Sequence, residues 1–360
     1  MIDANPGIAA MDAYQLPDIS VPDGVTPIIL AQNEHSFPPS KKVRDAIIAA
    51  IDESQLYSDT DCRQLRGAIA AVHELDAGRV FCGSGSMELM SALVQCYLSA
   101  GDRIAMSEYS YLFMRTLARM MGAEVDLAAE KNYCVDTDAL LASVQPSTRL
   151  VFLVNPGNPC GTTVSESDVR QLRAELPSDV MLLIDEAYAE YVETPLNLFD
   201  LVDAGNTVIT RTFSKIYGLA GLRVGWGYFP EEILMQMRKV LLPGGIALLS
   251  QAAAGAAIED QGAMHLARRE NALQRDFLCQ GLDRLGLLAV SSQTNFVLAD
   301  FSTSERAASA FDFLRKRGIV VRPMDGYGLP ACLRITVGIE AHMQQTIAAL
   351  ETWQGECGAG

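Results

Sequence analysis

The chain has little of what binds metal or nucleic acid. Its four histidines, His35, His73, His265 and His342, are scattered, with no ligand spacing among themselves or with the cysteines, so no metal centre is expected. The eight cysteines, Cys62, Cys82, Cys96, Cys134, Cys160, Cys279, Cys332 and Cys357, form no C-x-x-C pair and no disulfide framework, which suits a reducing compartment. Basic residues are outnumbered, 28 against 44 acidic, and the net charge of −16 leaves no clustered basic face for nucleic acid. Long apolar runs are missing too. The longest, around 246–258, is interrupted by glycine and polar residues and falls short of a membrane span, and no basic-then-apolar segment opens the chain. The expectation is a cytoplasmic protein with no membrane or nucleic-acid partner.

What the chain does have is bulk and rhythm. At 360 residues, 49% of them hydrophobic, it is long for one core, and a large domain with a smaller one is expected. Six of the 15 prolines fall before residue 40, which predicts an extended arm over 1–40. From there to about 260, β-branched runs at 79–82, 103–106, 124–127, 150–154, 180–184 and 207–212 alternate with helical patterns. That alternation predicts an α/β domain with a mostly parallel sheet between helices. Pro230 is placed at the first position of a helix, and Pro243-Gly244-Gly245 breaks the pattern before a second helical run. Met264, Leu273, Phe277, Leu278, Leu282 and Leu285 keep helical spacing on one face. They lead into a smaller α+β domain over 261–360, with strands near 295–298, 318–321 and 332–336.

The richest segment is 212–226, Thr-Phe-Ser-Lys-Ile-Tyr-Gly-Leu-Ala-Gly-Leu-Arg-Val-Gly-Trp. Lys215 follows a strand, where α/β enzymes place ligands. A lysine with its ordinary pKa of about 10.4 is protonated and a poor nucleophile at neutral pH. An aldehyde changes this: the amine condenses with pyridoxal phosphate, while Ser214 and Arg223 hold the phosphate. Read alone, Lys215 is one more solvated lysine; its neighbours argue otherwise. Gly83-Ser84-Gly85-Ser86-Met87-Glu88-Leu89 ends a strand and opens a helix, which is either a tight turn or a seat for an anion at a positive helix end. Tyr111, just past another strand, is either an ordinary tyrosine or a stacking partner for a pyridine ring.

Two further strand ends carry matching chemistry. In 155–161, Asn-Pro-Gly-Asn-Pro-Cys-Gly, an extended backbone before each proline aims the Asn158 amide at a ring oxygen. The run 180–184 delivers Asp185, whose ionised carboxylate keeps a pyridine nitrogen protonated. Tyr188, three residues on, reaches the ring's phenolic oxygen. Near the carboxy terminus Arg334 is placed to read a carboxylate with two parallel hydrogen bonds, and Arg322 either assists it or is a surface charge.

Together, the segments 155–161, 185–188 and 214–223, with Arg334, resemble in order and spacing the fold-type I pyridoxal-phosphate-dependent aminotransferases of class I/II. Within them the similarity is to the histidinol-phosphate aminotransferase group and its aromatic-amino-acid relatives, from about residue 14 to 350. The resemblance implies the aspartate-aminotransferase-like fold, with the arm belonging to the smaller domain. It implies that Lys215 carries the cofactor covalently and later moves a proton between the substrate α-carbon and the cofactor. Asp185 pairs with the ring nitrogen, Asn158 and Tyr188 with the ring hydroxyl, and Tyr111 stacks. Gly85, Ser86, Met87, Ser214 and Arg223 hold the phosphate, with Thr212 lining the same pocket. On the substrate side it points to Arg334, Arg322, Asn158 and Tyr14, the last on the arm that closes over the site with Asn33 and Glu34. The run Tyr57-Ser58-Asp59-Thr60-Asp61-Cys62 looks like the family segment whose tyrosine reaches the neighbouring subunit's phosphate, which implies a homodimer with shared active sites. The chain departs from the family pattern at His35-Ser36, usually Asn-Pro, at Ser58, usually Pro, at Cys160, usually Thr, and at Met87, usually acidic.

The implied reaction is a ping-pong transfer of an amino group from histidinol phosphate or an aromatic amino acid to a 2-oxo acid such as 2-oxoglutarate. The rivals are an aminotransferase for a specialised amine, a decarboxylase or lyase on the same scaffold, resembling the threonine-phosphate decarboxylases, and a non-catalytic regulator, which the lack of a DNA-binding module disfavours. The role given to Asp185 has a direct test. Asp185→Asn is expected to abolish transamination almost completely in a steady-state assay, whereas a mere helix cap would tolerate the change, because Asn caps as well as Asp.

Overall fold

A computed structural model describes residues 2, 6–9, 11 and 18–357. Seven strands form the larger sheet: β1 (Val80–Gly83), β2 (Arg103–Ser107), β3 (Glu124–Ala128), β4 (Thr148–Val154), β5 (Met181–Asp185), β6 (Thr207–Thr212) and β7 (Gly225–Tyr228). Their spatial order is β1-β7-β6-β5-β4-β2-β3. All are parallel except β7, which runs antiparallel to both its neighbours.

The apolar strands owe their continuous runs to burial on both faces. Leu182 and Ile184 of β5 and Val151 and Leu153 of β4 enter one core layer. Leu183 of β5 and Leu150 and Phe152 of β4 enter the other. The alternation is the two-residue period of a strand. With both faces covered, the strand ends are where polar side chains reach a shared opening.

A second sheet is antiparallel and four-stranded: β8 (Leu288–Ala289), β9 (Phe296–Asp300), β10 (Arg322–Pro323) and β11 (Cys332–Thr336), in the order β8-β9-β11-β10. The helices Gln261–Arg284, Ser304–Lys316 and Glu340–Cys357 pack around it and enclose a separate core with Leu30, Phe301 and Trp353. Part of the proline-rich start joins this unit, since Ile28 and Ile29 pair in parallel with Ile319 and Val320. No helix of the described residues is long and apolar enough to cross a membrane.

Local expectations meet three differences. Strand β7 hides in the glycine-rich run after Lys215, because glycine is a poor strand former and gives no alternating pattern. Its glycines are needed for close approach: a Cβ on Gly225 would lie 2.2 Å from the main-chain nitrogen of Ser86 and 2.5 Å from the carbonyl carbon of Gly85. Pro230 caps the helix Glu231–Met237 instead of opening it, since its ψ of 143° is outside the helical region. On Gln261–Arg284, Met264, Leu278 and Leu282 are buried but Leu273 is exposed, because helical spacing alone does not say how wide the covered stripe is.

Gly225→Ala is therefore expected to destabilise the fold by on the order of 3 kcal/mol through overpacking against main chain. Denaturant titration measures this, and an unchanged midpoint would mean that the β1 and β7 backbones separate without cost.

Candidate active site

Four strand ends and the segment after Thr212 converge on one cleft of about 420 Å³. Its walls include Ser86, Met87, Tyr111, Asn158, Asp185, Tyr188, Thr212, Ser214, Lys215, Arg223, Arg322 and Arg334, all of them named from the sequence. At one side, β1 leads through Gly85, whose φ of +85° suits glycine, into the helix Ser86–Tyr97. The first N–H groups of that helix have no partner within it. Arg223 lies against Gly85, where a Cβ would meet its Nη2 at 2.6 Å. Arg223 Nη1 donates to Ser214 Oγ at 3.4 Å and to the Ala220 carbonyl at 3.1 Å. Thr212 Oγ1 donates to Ser214 Oγ at 3.0 Å and accepts from the Ser214 N–H at 3.1 Å. A helix start, two hydroxyls and a guanidinium make a cup for a phosphate-sized anion.

Asp185, the last residue of β5, is only 4% exposed. Burial pushes its carboxyl up to about 7, against the pull of the Thr210 hydroxyl, which donates to Oδ1 at 3.2 Å. Lys215 Nζ faces the main-chain carbonyls of Gln32 and Asn33 at 3.4 and 3.3 Å. Burial first, then Arg334, bring its amine down to about 8; Arg223 adds to this, while Glu34 and Asp185 oppose it. Tyr188 is fully enclosed, with its ring 5.2 Å from that of Phe296 and its hydroxyl pushed up to about 12 by burial.

The two Asn-Pro pairs divide their work. Asn155 closes its own loop, donating to the Val164 carbonyl and accepting the Val164 N–H, both at 3.0 Å. Asn158 faces the cleft, and its Oδ1 accepts from Arg334 Nη1 at 2.5 Å. That leaves the amide N–H groups of Asn158 for a ligand. Arg334 also donates through Nη2 to the Ala31 carbonyl at 3.1 Å, while its Nε has no partner. Arg322 sits directly opposite Arg334 in the β10–β11 ladder, so both point to the same face. The cleft thus has a second cationic wall.

Among the described residues, two that the sequence named stand apart from the cleft lining. Gly85 lies behind Arg223. Tyr57 is wholly exposed at 102%, and Tyr14 lies outside the described residues. The departures from the family pattern have local partners. Tyr111 Oη donates to Met87 Sδ at 3.4 Å, Cys160 turns its thiol to Glu130, and Ser58 Oγ donates to the Ile246 carbonyl at 2.8 Å. His35 packs against Phe37 and Gly218.

Sequence reasoning missed Thr210, Ala31, Gln32 and Tyr327 as parts of the site. Thr210 had a signal, since it is two residues before Thr212 on a strand and shares its face. Ala31, Gln32 and Tyr327 come to the cleft by tertiary packing and had none.

The chain is similar to known proteins over nearly its whole length. A family model described as aminotransferase class I and II matches residues 25–350. A histidinol-phosphate aminotransferase of Ruegeria pomeroyi is 42% identical over 351 residues, 97% of this chain and 97% of that protein. One from Rhodospirillum rubrum is 43% identical over 335 residues, 91% of this chain and 90% of the relative. Among solved structures, histidinol-phosphate aminotransferase from Sinorhizobium meliloti in complex with pyridoxal-5'-phosphate superposes with a TM-score of 0.90 at 26% identity, covering 98% of each chain. Aspartate aminotransferase from Thermus thermophilus with maleate has the same fold, with a TM-score of 0.87 at 20% identity over 98% of this chain and 100% of the other.

The depressed Lys215 amine has a measurable consequence. Capture of a small aldehyde at Lys215, trapped by borohydride and mapped to the peptide, is expected to rise with pH and reach half its maximum near pH 8. A midpoint at the ordinary lysine value of about 10.4 would contradict it.

Proposed function

The chain belongs to the class I and II aminotransferases, and we propose that within this family it binds pyridoxal phosphate and moves an amino group from histidinol phosphate to a 2-oxo acid such as 2-oxoglutarate. The observation that carries this reading is one cleft with two cationic walls. Arg223 serves the first and Arg322 with Arg334 the second, and both Arg223 and Arg334 depress the Lys215 amine. One wall takes the cofactor phosphate and the other a phosphorylated substrate. The strong similarity to histidinol-phosphate aminotransferases supports the same donor.

The residues present fit the cofactor. Asp185 is buried with only neutral donors, the Thr210 hydroxyl and the Ala187 N–H, directly against it. A protonated ring nitrogen would supply the countercharge that its burial calls for. Ser86, Met87, Ser214 and Arg223 would hold the phosphate, with Gly85 allowing their approach and Thr212 orienting Ser214. Asn158 and Tyr188 would hold the ring oxygen, and Tyr111 would cover the ring. When bound, pyridoxal phosphate supplies an aldehyde carbon and an electron-withdrawing ring.

The protein's own contribution is positioning and proton transfer. Lys215 Nζ, with its pKa brought down to about 8, would take the proton from the substrate α-carbon and deliver it to the carbon that carried the cofactor's aldehyde. The Gln32 and Asn33 carbonyls stabilise the ammonium form between those events. Arg322 and Arg334 orient the donor so that its α-carbon faces Lys215.

The same proposal includes a homodimer in which Tyr57 enters the partner's phosphate cup. Tyr57, Leu56, Ile51, Ile48 and Leu242 are large apolar residues left exposed. The 58–60 stretch lies against the 244–251 segment through Ser58, Thr60 and Gln251. An apolar surface of this kind marks an interface. The division at residues 40 and 260 is also part of the proposal, supported by the separate cores of the two sheets and by the pairing of Ile28 and Ile29 with the smaller unit. Seven free thiols among the described residues support a cytoplasmic setting.

With loaded enzyme and no oxo acid, histidinol phosphate is expected to bleach the cofactor's visible absorbance, and 2-oxoglutarate to restore it. Arg322→Ala should raise the KM for the donor on the order of tenfold to a hundredfold, as for a lost charge-assisted hydrogen bond. Bleaching by phenylalanine or tyrosine but not by histidinol phosphate would move the donor to the aromatic class. Carbon dioxide release without an oxo-acid product would reject amino transfer.

A further inference from the structure

Asn33 is almost fully buried, at 1% exposure, and holds a left-handed φ of +55°. Five hydrogen bonds meet on it. Its main-chain N–H donates to Thr336 Oγ1 at 3.0 Å, and Thr336 Oγ1 donates back to Asn33 Oδ1 at 3.3 Å. Its side-chain Nδ2 donates to Tyr188 Oη at 2.9 Å. Its carbonyl accepts from Asn295 Nδ2 at 3.0 Å and from Lys215 Nζ at 3.3 Å.

The direction of the bond to Tyr188 follows from this pattern. The Thr336 hydroxyl accepts the Asn33 N–H and gives its single proton to Oδ1. A flipped amide would turn a donor toward that hydroxyl and leave its proton without this acceptor, so the amide presents N–H to Tyr188. Tyr188 Oη accepts that bond. Its own proton is left to point into the cleft.

We propose that Asn33 is a positioning residue: it makes Tyr188 a hydrogen-bond donor toward the cofactor's ring oxygen, with its carbonyl receiving the Lys215 amine when that amine is free. This rests on the pyridoxal-phosphate reading above and adds a role for the arm. The segment carrying Asn33 is tied to Thr336 and Asn295 of the smaller unit, so that unit holds the residue that orients Tyr188.

Asn33→Asp tests this, since aspartate has the same shape and tolerates the left-handed backbone. It replaces the donor by an acceptor, so Tyr188 turns its proton to residue 33. A donor to the ring oxygen favours the anionic oxygen, and its loss disfavours that form. The readout is the pH midpoint of the bound cofactor's visible absorbance, with thermal melting of the apo protein as the folding control. The other charged and titratable groups around Tyr188, namely Arg334, Tyr327, Asp185 and Lys215, are left unchanged.

Asn33→Asp is expected to raise the midpoint by on the order of one pH unit, as Tyr188→Phe does, and to add nothing in the Tyr188→Phe background. Asn33→Gly, which keeps the backbone and offers Tyr188 no acceptor, should move the midpoint by less than Asn33→Asp, and if Asn33→Asp does not fold, a shift with Gly that persists with Phe at 188 overturns the proposal. A shift from Asn33→Asp that persists with Phe at 188 would come from the added charge and overturn the proposal. A shift with Tyr188→Phe alone would overturn the role of Asn33 and leave that of Tyr188. No shift with any variant would remove Tyr188 from the ring oxygen and reject both.

Discussion

A buried carboxylate without a directly bound cation organises this molecule. Asp185 ends a strand that is apolar on both faces, and its burial raises its pKa to about 7. Such a group is costly to ionise unless something positive arrives. Its neighbour Glu186 points to the other side of the sheet, where Arg211 Nη2 and Nε meet Glu186 Oε2 at 2.7 and 2.8 Å. Adjacent carboxylates are thus given opposite fates by the strand's two-residue period. One is paired with a guanidinium, and the other has only neutral donors directly against it.

The remaining cleft groups are arranged around that carboxylate by different kinds of constraint. The anion cup depends on close approach, since β7 reaches Ser86 only through Gly225. Lys215 depends on burial and on neighbouring guanidinium groups, which shift its amine toward the pH at which it can exchange a proton. Arg334 depends on polar anchoring: Asn158 and the Ala31 carbonyl fix its guanidinium. Each contact is modest by itself. Their combined effect is a cleft whose charged groups are held in place by the protein itself.

Much of this was legible in the sequence. Strand positions could be read because buried parallel strands are written as β-branched runs, and the chemistry follows immediately after them, as in Asp185 after 180–184 and Lys215 after 207–212. The misses share a cause. Strand β7 is made of glycine and aromatic residues whose placement answers to packing against the β1 loop, and local propensity does not record that. Leu273 keeps the helical spacing of its neighbours yet faces outward, although Met264 before it and Leu278 after it are buried, because spacing does not record the width of the covered stripe.

The sequence by itself determined the family and the order of strand and loop, since these depend on residues close together along the chain. Tertiary structure alone decided how the arm enters the site. Asn33 meets Tyr188 across 155 residues and Thr336 across 303. Whether Arg322 was a surface charge or a cleft residue was likewise open until the β10–β11 register set it opposite Arg334. Contacts of that separation are chosen by the burial of two cores against each other, and no local pattern of side chains encodes which distant residues will face.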